Sequence, residues 1–156
     1  MKKYLLDTNI CIFLLRGKYD VDKKIDQVGL ENCCISEITV AELKYGAELG
    51  SRQGLTRRTQ NLEEFIASIR VLPISETLDL FAKEKARLRL AGTPADDNFD
   101  LLIGCTAIVY DLVMVTENLH DFKNFSGIRL ENWIKRYPPP VPPPSKNAYK
   151  NILLTI

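Results

Sequence analysis

A chain of 156 residues, 46% of them apolar and 26% charged, can bury the core of one globular domain. Its net charge of +1 sets up no strong global field, so binding of a polyanion would rest on local patches and cannot be inferred from overall charge. It lacks an apolar run of about eighteen residues, and Asp7 interrupts the short apolar stretch after Met1-Lys2-Lys3, so a membrane span and a signal peptide are not expected and a cytoplasmic protein is.

Tyr4-Leu5-Leu6 reads as a first strand that runs directly into Asp7-Thr8-Asn9. In an open parallel sheet functional side chains gather beyond the carboxyl ends of the strands, which makes Asp7 the first candidate for holding a divalent metal. Ile10 to Leu15 is too apolar for a surface element; it reads as a buried helix capped by Thr8 or Asn9 and ending near Gly17. A short helix over Val21–Val28 and a buried strand over Cys33-Cys34-Ile35 follow, the strand closed by Ser36, which can cap the next helix.

That helix carries Ile38-Thr39-Val40-Ala41-Glu42-Leu43-Lys44-Tyr45-Gly46. Thr39-x-x-Glu42 fits a capping box, which would give Glu42 a purely structural task. A helix starting at Ser36 instead puts Glu42 well inside, on the side of Ile38 and Tyr45 and facing the protein; the sequence leaves these two readings even. Leu55 to Ile69 has helical spacing, Val71-Leu72-Pro73-Ile74 suits an edge strand, and Ser75 caps a further amphipathic helix stopped by Gly92 and Pro94.

Asp96-Asp97-Asn98-Phe99-Asp100 leads into the apolar run Leu101 to Val109, a buried helix with acids at its amino end, where the macrodipole favours them. Asp96 and Asp97 read as caps, whereas Asp100 sits in the first turn close to the strand ends. Leu112-Val113-Met114-Val115 is a buried strand, Thr116 to Phe122 the loop at its carboxyl end, and Ile128-Arg129-Leu130 a last strand, with Trp133 packing near the end of the fold. The domain is expected over residues 1–136. Residues 137–156, with Pro138-Pro139-Pro140-Val141-Pro142-Pro143-Pro144, read as a flexible proline-rich tail.

Cys11, Cys33, Cys34 and Cys105 form no C-x-x-C pair and read as buried free thiols, Cys33 and Cys34 pointing to opposite faces of their strand. With His120 the single histidine, the donor set is mainly carboxylate and suits magnesium or manganese better than zinc. Arg52, Arg57 and Arg58, and the run Lys83, Lys85, Arg87 and Arg89, are the candidate basic patches, but they fall on expected helices, where a solvated charged face is the favoured reading.

Strands alternating with helices imply an α/β sandwich in which Asp7, Glu42, Asp100 and the 117–121 loop can share one edge of the sheet. Such acids repel one another unless a divalent cation turns repulsion into coordination, as in metal-assisted phosphodiester hydrolysis. Four blocks carry a resemblance: Leu5-Leu6-Asp7-Thr8-Asn9, Ile38 to Ala47, Asp100-Leu101-Leu102-Ile103-Gly104, and Val115-Thr116-x-Asn118-x-x-Asp121-Phe122. In order and spacing they resemble PIN-domain ribonucleases, above all the VapC toxins of bacterial toxin–antitoxin pairs, over about residues 2 to 136. The resemblance implies a PIN-like three-layer sandwich with a central, mainly parallel sheet flanked by helices.

It further implies a magnesium-dependent endoribonuclease, with manganese as a possible substitute, acting as a toxin. Asp7 and Asp100 become the metal ligands, Glu42 completes the acidic cluster, and Asp121 is the fourth acid with Glu117 as its rival. Thr8, Asn9, Thr116 and Asn118 are the candidate substrate-binding residues. The implied partners are RNA, a VapB-like antitoxin whose arginine would pair with Asp7 and Asp100, and a second copy of the chain. The family usually has alanine where Gly104 stands, and the proline tail has no counterpart. The competing readings are a receiver-like magnesium-binding signalling module, which would want a lysine where Thr116-Glu117 stands, a PIN nuclease of RNA processing without a toxin role, and an interaction module whose acids merely cap helices.

Overall fold

The computed structural model describes residues 1–54 and 57–136, and the side chain of residue 58 is not described. Leu55, where the middle helix is expected to begin, and the proline-rich tail lie outside the described residues. In chain order the elements are β1 (Tyr4–Leu6), α1 (Thr8–Leu15), α2 (Val21–Val28), β2 (Cys33–Ser36), α3 (Glu37–Arg52), α4 (Arg57–Ser68), β3 (Arg70–Leu72), α5 (Leu78–Leu90), α6 (Asn98–Val109), β4 (Val113–Val115), α7 (Leu119–Phe122) and β5 (Arg129–Glu131). The strands are ordered β3-β2-β1-β4-β5, and every pair is parallel. The chain therefore builds outward from β1 on one side, then returns to start again on the other, so the order reverses between β1 and β4. A crevice outside the carboxyl ends of those two strands is where such a sheet holds its ligands.

Alternation along the strands divides the core into two layers. Tyr4, Leu6, Cys33, Ile35, Val113 and Val115 face α1 to α4, meeting Ile10, Val21, Ile25, Leu43, Leu62 and Phe65. Leu5, Cys34 and Met114 face the opposite layer with Leu88, Leu101, Ile103, Cys105 and Phe122. Cys33 and Cys34 do take opposite faces, and all four thiols are free and buried, with burial pushing those of Cys33, Cys34 and Cys105 up to about 11 or 12. The three-layer sandwich expected from the sequence is present, its described sheet wholly rather than mainly parallel.

Several local expectations are corrected. Helix α1 is capped by Asp7 itself, in extended conformation with its Oδ1 accepting from Thr8 N at 2.7 Å, and not by Thr8 or Asn9. Ser36 does cap α3, accepting from Ile38 N. Because α3 begins at Glu37, Thr39 is already helical and the Thr39–Glu42 capping box does not exist. Tyr45 is 70% exposed and does not face the protein with Glu42. Ser75 opens a 3-10 turn ahead of α5 instead of capping that helix.

Gly104 gives a first testable outcome. A Cβ built there would stand 2.6 and 2.7 Å from ring carbons of buried Phe125 and 3.3 Å from Phe122, whose rings meet edge to face. Overpacking of this kind costs about 1–3 kcal/mol, against the ~1 kcal/mol that alanine gains over glycine inside a helix. Gly104→Ala is expected to lower the melting temperature, and Phe125→Leu in that background to recover part of the loss. A Gly104→Ala protein more stable than the parent would show that the Phe125 ring moves aside freely.

Candidate active site

Register carries β1 and β4 to the same level, with Leu6 paired to Val115, so Asp7 and Thr116 emerge side by side. Asp7 N continues the ladder onto Val115 O at 2.9 Å, and Thr116 N bonds Glu131 O at 3.0 Å. Asp7 is only 4% exposed. Its Oδ1 accepts from Thr8 N, and its Oδ2 accepts from the Thr116 hydroxyl at 2.7 Å, which locks the carboxylate in one orientation. The Thr116 hydroxyl accepts in turn from Asn118 N at 3.0 Å and from Asn9 Nδ2 at 3.3 Å. Its one proton and both lone pairs are thereby committed. Asn9 also accepts from Glu117 N at 3.4 Å.

A second set of bonds ties α1 to α3. The Thr8 hydroxyl donates to Glu42 Oε1 at 2.6 Å and stands 3.1 Å from the hydroxyl of fully buried Thr39. Glu42 is therefore held toward the cleft by a residue adjacent to Asp7. Asp97 caps α6 by accepting from Phe99 N at 2.7 Å, placing Asp100 in the first helical turn, half-buried. Asp121 lies exposed on the short helix α7, beyond the carboxyl end of β4.

Charge ties these acids into one group. Burial raises the Asp7 carboxyl above the usual carboxylate range; the hydrogen bonds from Thr116 and Thr8 oppose that rise, and Glu42 and Asp121 add to it by repulsion. Asp100 is pushed up to about 7, first by burial and then by Asp7, Asp97, Glu42 and Asp121. Glu117, by contrast, is turned away onto Arg136, which makes a short Nε–Oε1 bond and an Nη2–Oε2 bond of 3.0 Å. Asp97 and Thr39 belong to the site's surroundings although the sequence reading treated them only as capping residues. Asp97 could have been found from its i, i+3 spacing to Asp100, whereas nothing local pairs Thr39 with Thr8.

The acids suit a hard divalent cation. They are oxygen donors, partly desolvated and mutually repelling, which is the situation that coordination relieves. Among the described residues, three acids or other ligating side chains do not already stand close enough to enclose an ion. Magnesium does not require that: it keeps several waters and is commonly held by one or two carboxylates plus substrate phosphate oxygens.

Comparison with known proteins assigns the chain to a family. A family model described as PIN domain matches residues 4–128. The chain belongs to the PIN-domain family. It is 35% identical over 134 residues to the tRNA(fMet)-specific endonuclease VapC of Salmonella typhimurium, a match covering 85% of this chain and 99% of that one. It is 32% identical over 136 residues to a ribonuclease VapC of Haemophilus influenzae, covering 86% and 100%. Among solved structures, DNA-bound VapBC from Salmonella typhimurium superposes with a TM-score of 0.76 at 34% identity, covering 85% of this chain and 99% of that one. The chain is thus a VapC-type PIN domain, and all four sequence blocks, with Asp7, Glu42, Asp100 and Asp121, lie within the residues 4–128 that the family model matches.

Several of the candidate basic side chains are engaged with near neighbours. Arg52 pairs with Glu48, and Lys85 donates to Asn98 Oδ1 at 2.7 Å. Arg87 clamps buried Glu84, which also accepts from Ser126 N, and reaches Asn124 O, so it fastens α5 to the 124–126 turn.

Glu42→Gln separates charge from hydrogen bonding, because glutamine can still accept from Thr8. Melting temperature is expected to change little, while metal-dependent activity falls by about 10- to 100-fold, the range typical when support of a metal ligand is lost. Unchanged activity would leave Glu42 a structural acceptor for Thr8.

Proposed function

We propose that this protein is a divalent-metal-dependent endoribonuclease and the toxin of a toxin–antitoxin pair, with Asp7 and Asp100 as metal ligands and Glu42 and Asp121 completing the acidic site. The observation that carries the reading is the group of carboxylates at the β1/β4 crevice, in which Asp100 is pushed up to about 7 chiefly by burial and by neighbouring acids. The names of the relatives, an endonuclease and a ribonuclease, supply the substrate class. Magnesium is the favoured ion and manganese a substitute. A cytoplasmic setting, where RNA is met, accords with this reading; among the described residues no helix is long and apolar enough to cross a membrane.

Bound there, a divalent cation would polarise a phosphoryl oxygen and lower the pKa of water, favouring hydrolysis of a phosphodiester. The protein's share is positional. Asp7, fixed by Thr116 and Thr8, and Asp100, presented by the first turn of α6, are the residues that would hold the ion. Glu42, aimed by Thr8, supplies further negative charge toward that point. Asp121, exposed at the rim, is available to take up the proton released by the attacking water. Asn9, Thr116 and Asn118 are the polar groups past which substrate would lie, Thr116 mainly as the support of Asp7.

An apolar groove of about 160 Å³ adjoins the site, lined by Ile12, Leu15, Leu43, Ala47 and Leu62 with Glu42 and Arg16 at its polar part. It is the surface proposed for a VapB-like antitoxin; the solved relative is a VapBC assembly. Tyr45 and Leu49, exposed on α3, offer a separate apolar face for a homodimer. The direct test is an oligoribonucleotide incubated with purified protein in magnesium, in manganese and in EDTA. Cleavage in the first two and none in the third is expected. Phosphoryl transfer to Asp7 without loss of RNA would instead favour a signalling module, although Thr116 stands where that reading wants a lysine.

A further inference from the structure

A second groove, of about 910 Å³, opens between the 17–20 turn, α2 and the segment after β5. Its lining sets four basic side chains, Lys23, Lys24, Lys135 and Arg136, against two acidic ones, Asp20 and Glu131. Both acids are already engaged: Asp20 with Lys23 at 2.9 Å, and Glu131 with Lys2 at 3.0 Å and the Trp133 indole at 3.1 Å. Lys23 is thereby matched by Asp20 and Arg136 is held by Glu117, so the groove's excess of positive charge rests on Lys24 and Lys135 in a chain whose net charge is only +1.

The groove is joined to the acidic cleft by one residue. Arg136 grips Glu117, whose neighbour Thr116 holds Asp7. The same guanidinium donates to the Tyr19 hydroxyl at 3.0 Å and lies 5.2 Å from the centre of that ring, while Tyr19 rests edge-on against Phe13. Lys24 is steadied over the Trp133 ring at 5.8 Å. Cations positioned on aromatic rings are partly ordered in advance, which reduces the entropy lost when they meet a phosphate.

We propose that this groove is a phosphate-backbone track which holds the part of an RNA strand flanking the scissile phosphate, with Lys24, Lys135 and Arg136 as its contacts. The proposal rests on the nuclease reading of the acidic cleft and extends it. An RNA approaching that cleft meets carboxylates, so much of its binding must come from positive charge outside it. The groove supplies such charge, and through Arg136, Glu117 and Thr116 it is linked to Asp7. Contacts of this type hold backbone in any sequence and select no base.

The test compares Lys24→Glu/Lys135→Glu with Lys83→Glu/Arg89→Glu, a pair of equal charge change on α5. Binding of a fluorescent single-stranded oligoribonucleotide is measured in EDTA, where it stays intact, over a range of salt concentrations. The groove variant is expected to bind at least about tenfold more weakly at low salt, with the slope of log affinity against log salt reduced by about 1.4 for two lost phosphate contacts. The α5 variant should match the parent. Lys24→Ala/Lys135→Ala guards against a folding defect and should show a smaller loss in the same direction. Equal affinities and slopes for the groove and α5 variants overturn the proposal, as does loss of antitoxin binding with RNA binding intact. Cleavage by the parent protein in magnesium is scored separately: its absence refutes the nuclease reading, while the salt slopes still decide whether the groove binds RNA.

Discussion

Asp100→Asn is expected to slow magnesium-dependent RNA cleavage by on the order of 10³-fold, beyond the 10- to 100-fold typical of residues that only orient a ligand. The same substitution should stabilise the metal-free fold near pH 8. Burial and four acidic neighbours push Asp100 up to about 7, whereas an aspartate in an unfolded chain titrates near 3.9. Between those values the folded protein binds more protons than the unfolded chain at this site, so the contribution of Asp100 to stability falls as pH rises through that window. Asparagine carries no charge and removes the loss. Metal-free parent protein should therefore lose more melting temperature than Asp100→Asn between about pH 5 and pH 8.

Metal reverses the sign. An ion held by Asp100 must displace its proton, so apparent magnesium affinity should rise with pH up to about 7 and level off above it, with protons released on binding. Asp7→Asn should be as inactive but is a less clean probe of stability. Asparagine caps a helix as well as aspartate does, yet its amide would meet a Thr116 hydroxyl whose lone pairs are already taken by Asn9 and Asn118. Parent-like cleavage by Asp100→Asn, or a metal affinity independent of pH from about 5 to 8, would remove Asp100 from the ligand set.

The sequence exposed those parts of the site that are decided locally. β1 was readable because three apolar residues end at an acid, and the bounds of α2 because an amphipathic run stops at Gly29. Asp100 stood out as an acid one position ahead of a buried run. The parts that were not readable depend on residues distant in sequence. Glu42 could be assigned to neither a cap nor the cleft until Thr8, from another element, was seen to donate to it. Tyr45 was placed inward because helical spacing gives a face but not which neighbour covers it. Helix α7, four residues long, is below the length at which periodicity can be read. Glu117 and Asp121 are rivals in the sequence because both follow β4 within a few residues; in the structure Glu117 pairs with Arg136, whereas Asp121 lies on α7 and acts by repulsion on Asp7 and Asp100.

Leu15→Asp is expected to weaken antitoxin binding by on the order of 100-fold, about 2.7 kcal/mol, while leaving RNA cleavage by the free protein near the parent rate. Leu15 lines the groove between α1, α3 and α4 and is only partly buried in the free chain, so a carboxylate there keeps access to water until a partner covers it. Covering it then requires desolvating an unpaired charge. Glu42 lines the same groove and accepts from Thr8 beside Asp7, so a segment seated on the apolar part would bring its next residues toward the acidic cleft. An arginine there would pair with Asp7 and Asp100 in place of the ion, which makes inhibition weaken as magnesium is raised. In cells, induction of the parent should arrest growth and co-expression of the adjacent gene's product should relieve it, whereas Leu15→Asp should remain toxic in its presence. Normal neutralisation of Leu15→Asp would move the antitoxin to another surface, and a harmless parent with no binding partner encoded beside it would end the toxin reading while leaving the nuclease to be judged by its own metal dependence.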